Sequence, residues 1–395
     1  MKLSARSAWP SEPSPWAQAV QHARDANPEL LDLTPSNPTQ VGLVHPGPVY
    51  RALGDPGGAH YDPHPLGLPA ARDAVAAYYA RRGRVVDPAR LWLCASTSEA
   101  YTQLLTLLAD PGDTVLVPCP GYPLLDMLGD LAGVRRVSYP LRRDGRWSID
   151  LDGLDRAIAR SPRARVLVVI APGNPTGAML DPAQWHALRA RARAHDLALL
   201  VDEVFADYPL DPPPDRLRFL GDDDAPCLVL SGLSKVAALP QLKLSWVVMH
   251  GPEAAVTPLR ARAELAADAL LSVATPVQRA LPTLLLAAEP MQRRIRERLA
   301  ENLGVLRTGV RGQPLDLLPA DGGWTALLRL PVVHELDDLG WAQRLLRAGV
   351  LVQPGFLFDL PAPPQVAVSL LTPPCVLRWG IQRVVECVGA VIDAG

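Results

Sequence analysis

The chain is poor in the features that mark disulfide scaffolds, metal sites, membrane spans and nucleic-acid binders. Its five cysteines, Cys94, Cys119, Cys227, Cys375 and Cys387, are scattered through 395 residues with no C-x-x-C pair. That argues against a disulfide framework or a zinc site and for free thiols in a reducing compartment, so a cytoplasmic protein is expected. The eight histidines show no metal-ligand spacing, and no metal is expected. No apolar run is long enough to span a bilayer, and the opening residues lack the apolar core of a secretory signal. Formal net charge is −2 without a long basic run, which argues against nucleic acid as the main partner. Internal repeats and low-complexity tracts are absent.

What is present is core material in quantity, with apolar residues making up 48% of the chain. The length suits two or three lobes. Apolar, β-branched runs predict strands over 91–94, 114–117, 134–139, 166–170, 198–201, 228–230 and 244–249. Helical patterns fall between them over 68–82, 99–108, 123–131, 151–159 and 182–195. Alternation of this kind predicts an α/β fold, a large domain with a mostly parallel sheet sandwiched by helices. From about residue 254 to 310 the chain turns long-helical, with one run over 291–306. A smaller α/β segment follows: strand 325–329, helix 339–348, strand 366–370 and a final helix through 392. The expected division is an N-terminal arm over 1–45 packing on the small domain, a large domain over 46–285 and a small C-terminal domain over 286–395.

Ligands on such sheets sit at the carboxyl ends of strands, and that is where the chemistry-bearing residues gather. Ser-Gly-Leu-Ser-Lys at 231–235 ends an apolar run and offers an amine beside hydroxyls. An amine that condenses with an aldehyde needs a neutral fraction near pH 7, which burial or a nearby cation supplies. Lys243 is a candidate cation; the plain alternative is a solvated loop. Ala-Ser-Thr-Ser-Glu at 95–99 opens a helix, where Ser96 or Ser98 reads as an N-cap, and where free amides also suit a phosphate. Tyr122 follows the strand over 114–117, as packing or as a surface for a flat ring. Asn174 lies in Asn-Pro-Thr-Gly, either a simple turn or an amide donor aimed at a ligand. Asp202 ends another apolar strand, and a carboxylate there is costly without a cationic partner.

In this order, from about Leu31 to the chain end, these motifs resemble the fold-type-I, class I/II aminotransferase family, which uses pyridoxal 5′-phosphate. The resemblance implies a transaminase working by a ping-pong mechanism, with a small-molecule amino donor and a 2-oxo acid acceptor. It gives Lys235 the roles of Schiff-base lysine and general base, and makes Asp202 the acid that keeps the pyridine nitrogen protonated. Asn174 would donate to the ring oxygen, Tyr122 stack on the ring, and Thr97 and Ser98 bind phosphate with Ser234 and Ser231 adding hydroxyls. Tyr61 matches a tyrosine that reaches the phosphate of a neighbouring subunit, which implies a homodimer with shared sites. Ser36 and Asn37 match the segment that covers the substrate.

Four positions depart from the family pattern. Lys243 stands where the family usually has Arg, and is the expected phosphate cation in its place. Gly232 stands where Ser or Thr often binds phosphate, which removes a donor. Phe205 stands at the cofactor where Tyr usually hydrogen-bonds the ring oxygen, a loss expected to raise the Schiff-base pKa. Ala367 occupies the place of the arginine that clamps the substrate carboxylate. Arg329 or Arg378 would have to replace that arginine, or polar groups such as Asn37 and Gln353 would hold the substrate, or the substrate is not a plain α-amino acid. The alternative activity is β-elimination on the same site. A catalytically degenerate cofactor-binding protein is the non-enzymatic one. A regulator would need a DNA-binding domain, for which the roughly thirty residues before the match are too few.

Overall fold

The computed structural model describes all 395 residues except 2, 222, 223, 272, 334, 335, 394 and 395. His334, one of the eight histidines, lies outside the described residues. An eight-stranded sheet forms the centre of the molecule. Its strands run in the order Leu91–Cys94, Ser245–His250, Cys227–Gly232, Ala198–Asp202, Ala164–Ile170, Thr114–Cys119, Arg135–Asp144 and Arg146–Ile149. The four strands from Cys227–Gly232 to Thr114–Cys119 pair in parallel with one another, and Arg135–Asp144 continues the parallel run. Ser245–His250 lies antiparallel to both its neighbours, and Arg146–Ile149 closes the far edge as a hairpin.

Both faces of this sheet are covered, which is why its strands read as unbroken apolar runs. Leu167, Leu199, Val201, Val229 and Trp246 point into one core with the helices Pro69–Ala80, Leu151–Ala159 and Pro182–Ala194. Val166, Val168, Leu200, Leu228 and Val247 point into the other, under the helices Thr97–Leu108, Leu124–Ala132 and Glu253–Leu270. The predicted elements recur with their ends shifted by a few residues. The edge hairpin had no separate sequence signal, because Arg146-Trp147-Ser148-Ile149 is too short to show a period.

The C-terminal third builds a second layer. A four-stranded antiparallel sheet runs in the order Asp316–Leu317, Thr325–Arg329, Gln365–Ser369 and Gln353–Pro354. It shares a core with the helices Asp338–Arg347 and Pro374–Asp393. The two lobes are joined by one uninterrupted helix, Thr275–Gly309, which carries Pro282 and Pro290 inside it and runs across the boundary expected at 285/286. The stretch expected to be helical over 291–306 is its second half.

The N-terminal segment is tied to the second lobe. Leu31–Asp32 pairs in parallel with Val350–Leu351. The Ser369 amide donates to the Leu33 carbonyl at 2.7 Å, and the Ser369 hydroxyl to the Pro35 carbonyl at 2.6 Å. Leu33 is fully buried against Gly380 of the last helix, where a Cβ would lie 2.6 Å from a Leu33 methyl. A Gly380→Ala substitution is therefore expected to cost about 1–3 kcal/mol by overpacking. Limited proteolysis should then cut the first forty or so residues faster than in the parent; unchanged proteolysis and thermal midpoint would show that the arm does not depend on this contact.

Candidate active site

A cavity of about 320 Å³ opens between the carboxyl ends of the parallel strands, the second lobe and the N-terminal segment. That volume is in the range of small-ligand sites. Lys235 and Asp202 form its floor. Lys235 belongs to the short turn Leu233–Val236 that follows the strand Cys227–Gly232, while Asp202 ends the adjacent parallel strand. The Tyr208 hydroxyl donates to the Lys235 carbonyl at 2.6 Å and fixes that turn.

Both charges are held off their ordinary pKa values. Burial pushes Asp202 up to about 6; hydrogen bonds from the Val204 amide and the Tyr101 hydroxyl, and then the Lys235 charge, oppose the rise. Those bonds are 3.1 Å and 3.2 Å long. Burial lowers the Lys235 pKa, against the pull of Asp202. The depression therefore comes from desolvation, and Lys243 plays no part in it: Lys243 is exposed, sits in a left-handed turn and does not line the cavity. The Lys235 ammonium lies 4.9 Å from the Trp324 ring centroid and 5.6 Å from that of Phe205, so two aromatic faces receive it.

The rest of the predicted set divides. Asn174, Tyr122, Thr97, Ser98, Ser234, Phe205 and Ser36 line the same cavity. Ser96, not Ser98, is the N-cap: its hydroxyl accepts from the Glu99 amide at 3.0 Å, and the Glu99 carboxylate accepts from the Ala95 amide. The Ser96 cap leaves Thr97 and Ser98 as the first two helical residues, with their side chains at the cavity wall. Tyr61 is 77% exposed and away from the cavity. Ser231 is buried but does not line it. Asn37 is occupied in a turn, its side-chain oxygen accepting from the Thr39 amide and hydroxyl at 3.1 and 2.8 Å. Thr34, which the sequence did not single out, takes a place in the wall instead. Tyr101 was missed as well; it sits one helical turn after Thr97, on the side that faces the sheet.

At the far end of the cavity, where the carboxylate-binding arginine was expected, Ala367 is fully buried among Trp147, Leu327 and Phe358. Arg329 is engaged with Asp316, and Arg378 borders a separate groove between the long helix and the last one. Among the described residues lining the cavity, Lys235 is the only basic side chain. Gln353, Thr325 and Trp324 supply the polar groups there. Among the described residues the buried Trp324 indole N–H meets no hydrogen-bond partner, so a donor is left for a ligand to meet.

This donor set suits a flat, phosphorylated aldehyde with a basic ring nitrogen. An amine whose pKa is lowered by burial can condense with the aldehyde, a desolvated acid can face the nitrogen, and a helix start can receive the phosphate. Among the described residues no group of three His, Cys, Asp or Glu side chains could hold a metal ion, and no helix is long and apolar enough to cross a membrane.

The comparisons agree with this chemistry. The model of the aminotransferase class I and II family matches residues 20–374, starting earlier than the resemblance read from the motifs and stopping short of the last helix. An arginine–pyruvate transaminase of Pseudomonas aeruginosa is 29% identical over 356 residues, 88% of each chain. An alanine aminotransferase of Mycobacterium tuberculosis is 29% identical over 87% of this chain and 82% of its own. Among solved structures, an aspartate aminotransferase mutant of Thermus thermophilus superposes with a TM-score of 0.83 at 26% identity, covering 98% of this chain and all of the other. An alanine aminotransferase of Pyrococcus furiosus gives a TM-score of 0.88 at 23% identity, over 98% of this chain and all of its own.

With Asp202 at about 6 in the ligand-free protein, a cationic ring nitrogen beside it pulls that pKa down. Cofactor affinity should then rise as pH climbs from about 4 to 6 and level off above. Asp202→Asn should flatten that dependence in a spectrophotometric titration; an identical slope in the variant would remove Asp202 from contact with the ring.

Proposed function

The chain belongs to the aminotransferase class I and II family and is a pyridoxal 5′-phosphate-dependent transaminase, and from that premise we propose how its own residues carry the reaction. Pyridoxal 5′-phosphate supplies an electrophilic aldehyde and a conjugated ring that accepts the electron pair released at the substrate Cα. Lys235 would be the attachment amine and the base that moves the Cα proton in a 1,3-shift, across the substrate nitrogen. The observation that carries this assignment is the meeting of Lys235 and Asp202 at neighbouring strand ends in one cavity. Desolvation lowers the Lys235 pKa, in the direction that favours the neutral amine. Asp202 holds the proton on the ring nitrogen, and Tyr101 and the Val204 amide keep its carboxylate in place. Asn174 donates to the ring oxygen, with Phe205 leaving that oxygen one donor short. Tyr122 covers the ring, and Thr97, Ser98 and Ser234 receive the phosphate.

Two residues outside the cavity fit a second copy of the chain. The 77% exposure of Tyr61 supports a role at the phosphate of a neighbouring subunit. Exposed Lys243 serves as phosphate cation only if the assembled dimer closes over it. A homodimer is therefore part of the reading, as is a cytoplasmic location for a chain whose scattered cysteines form no C-x-x-C pair. We also divide the chain functionally into the arm over 1–45, the cofactor domain over 46–285 and the small domain over 286–395.

A specific observation bears on the substrate. The apolar cluster around Ala367 and the absence of a guanidinium among the described lining residues support a site that meets the substrate's far end with neutral donors, Gln353 and Ser36. Amines that lack an α-carboxylate should then react within about tenfold of their parent amino acids, since no charge-assisted fork is lost. A loss near a thousandfold would reveal a cation supplied by another element. In the same assays Lys235→Ala should cut turnover by about a thousandfold or more and abolish the visible band of bound cofactor. Conversion of the cofactor to its amino form marks transfer; stoichiometric release of ammonia would favour elimination.

A further inference from the structure

We propose that Ser245 is the phosphate donor that stands in for a side chain at position 232, its Oγ donating to a phosphate oxygen of the cofactor. The inference rests on the reading of the cavity as the cofactor site. Gly232 and Ser245 are directly opposed on neighbouring antiparallel strands, and both line the cavity. A Cβ built on Gly232 would lie 2.8 Å from the Ser245 Cβ, 3.0 Å from its Cα and 3.2 Å from the Leu244 carbonyl oxygen. Opposed Cβ atoms normally stand about 4.5–5.5 Å apart, so this pair has room for one side chain. The backbone does not ask for glycine: at φ 177° and ψ 167° residue 232 is fully extended, a conformation open to any residue. Position 232 is glycine because of the space that Ser245 fills.

The serine is placed to use that space. It is 2% exposed, and its hydroxyl donates to the Cys94 carbonyl at 3.2 Å. Hydroxyl bonds usually run about 2.5–3.0 Å, so this one is weak. Cys94 ends the strand that leads into the helix opened by Thr97 and Ser98. Ser245 therefore stands between that helix start and the strand that leads to Lys235. A phosphate oxygen there offers a charge-assisted bond, shorter and stronger than the bond to a neutral carbonyl. The hydroxyl turns from Cys94 to the phosphate, and no covalent step is involved.

The test compares pyridoxal 5′-phosphate with pyridoxal, which lacks the phosphate, by absorbance titration of the full-length protein stripped of cofactor. Ser245→Ala keeps the Cβ and removes the donor. It should raise the dissociation constant for pyridoxal 5′-phosphate by about tenfold or more and leave that for pyridoxal unchanged. The double variant Gly232→Ser/Ser245→Gly moves the hydroxyl to the opposite strand and should recover affinity to within about threefold. Unchanged affinity in Ser245→Ala, equal weakening of both ligands, or a double variant as weak as Ser245→Ala would each overturn the proposal. Lys235→Ala in the same titration separates this from failure of the site itself. A visible band that survived it would overturn the cofactor reading of the cavity.

Discussion

An acid and an amine removed from water on adjacent strand ends set the terms for this molecule. Asp202 and Lys235 each pay for desolvation through a displaced pKa, and each partly offsets the other. The surrounding parts keep that arrangement from relaxing. Parallel strands covered on both faces deliver the two backbones to the same edge. Tyr208 pins the lysine turn, and Tyr101 with the Val204 amide pins the carboxylate. A cavity that needed neither charge would have no reason to accept such a pair, since an unpaired buried charge is among the more costly defects a fold can carry.

The central sheet and the principal site residues were legible because they share one signal. Unbroken apolar runs predict doubly covered strands, and polar residues at the carboxyl ends of those runs mark the ligand edge. Lys235, Asp202, Asn174 and Thr97 all follow from that rule. Composition held a further clue: three of 39 basic residues are lysines, Lys2, Lys235 and Lys243, so the chain uses arginine nearly everywhere an exposed cation would do. What could not be read depends on partners distant in sequence. Tyr101 acts through Asp202, 101 residues on, and Ser245 matters because of what faces it across a ladder. Asn37 looked like a ligand residue, but its side chain closes a local turn. That local competition is a familiar habit of asparagine.

The second lobe shows how a departure from a family pattern is accommodated. Ala367 does not leave a hole. Trp147, from the edge hairpin of the large sheet, reaches into the same cluster with Phe358 and Leu327, so the volume is filled by apolar side chains from both lobes. Restoring an arginine at 367 would bury a guanidinium among them without a partner. The neutral character of this end of the cavity is thus built by several residues together, and a single substitution does not undo it.

The long helix that joins the lobes has a mechanical consequence. Thr275–Gly309 passes from one core to the other as a continuous rod, so the lobes are coupled by a beam and not by a slack tether. Pro282 and Pro290 each delete one backbone bond from that beam, Pro282 within the stretch that packs on the large-lobe core and Pro290 where the helix passes from that core to the other. Resistance to bending is lowest where those bonds are missing. The stiffness of the link between the lobes could thus be tuned at residues 282 and 290, neither of which lines the cavity.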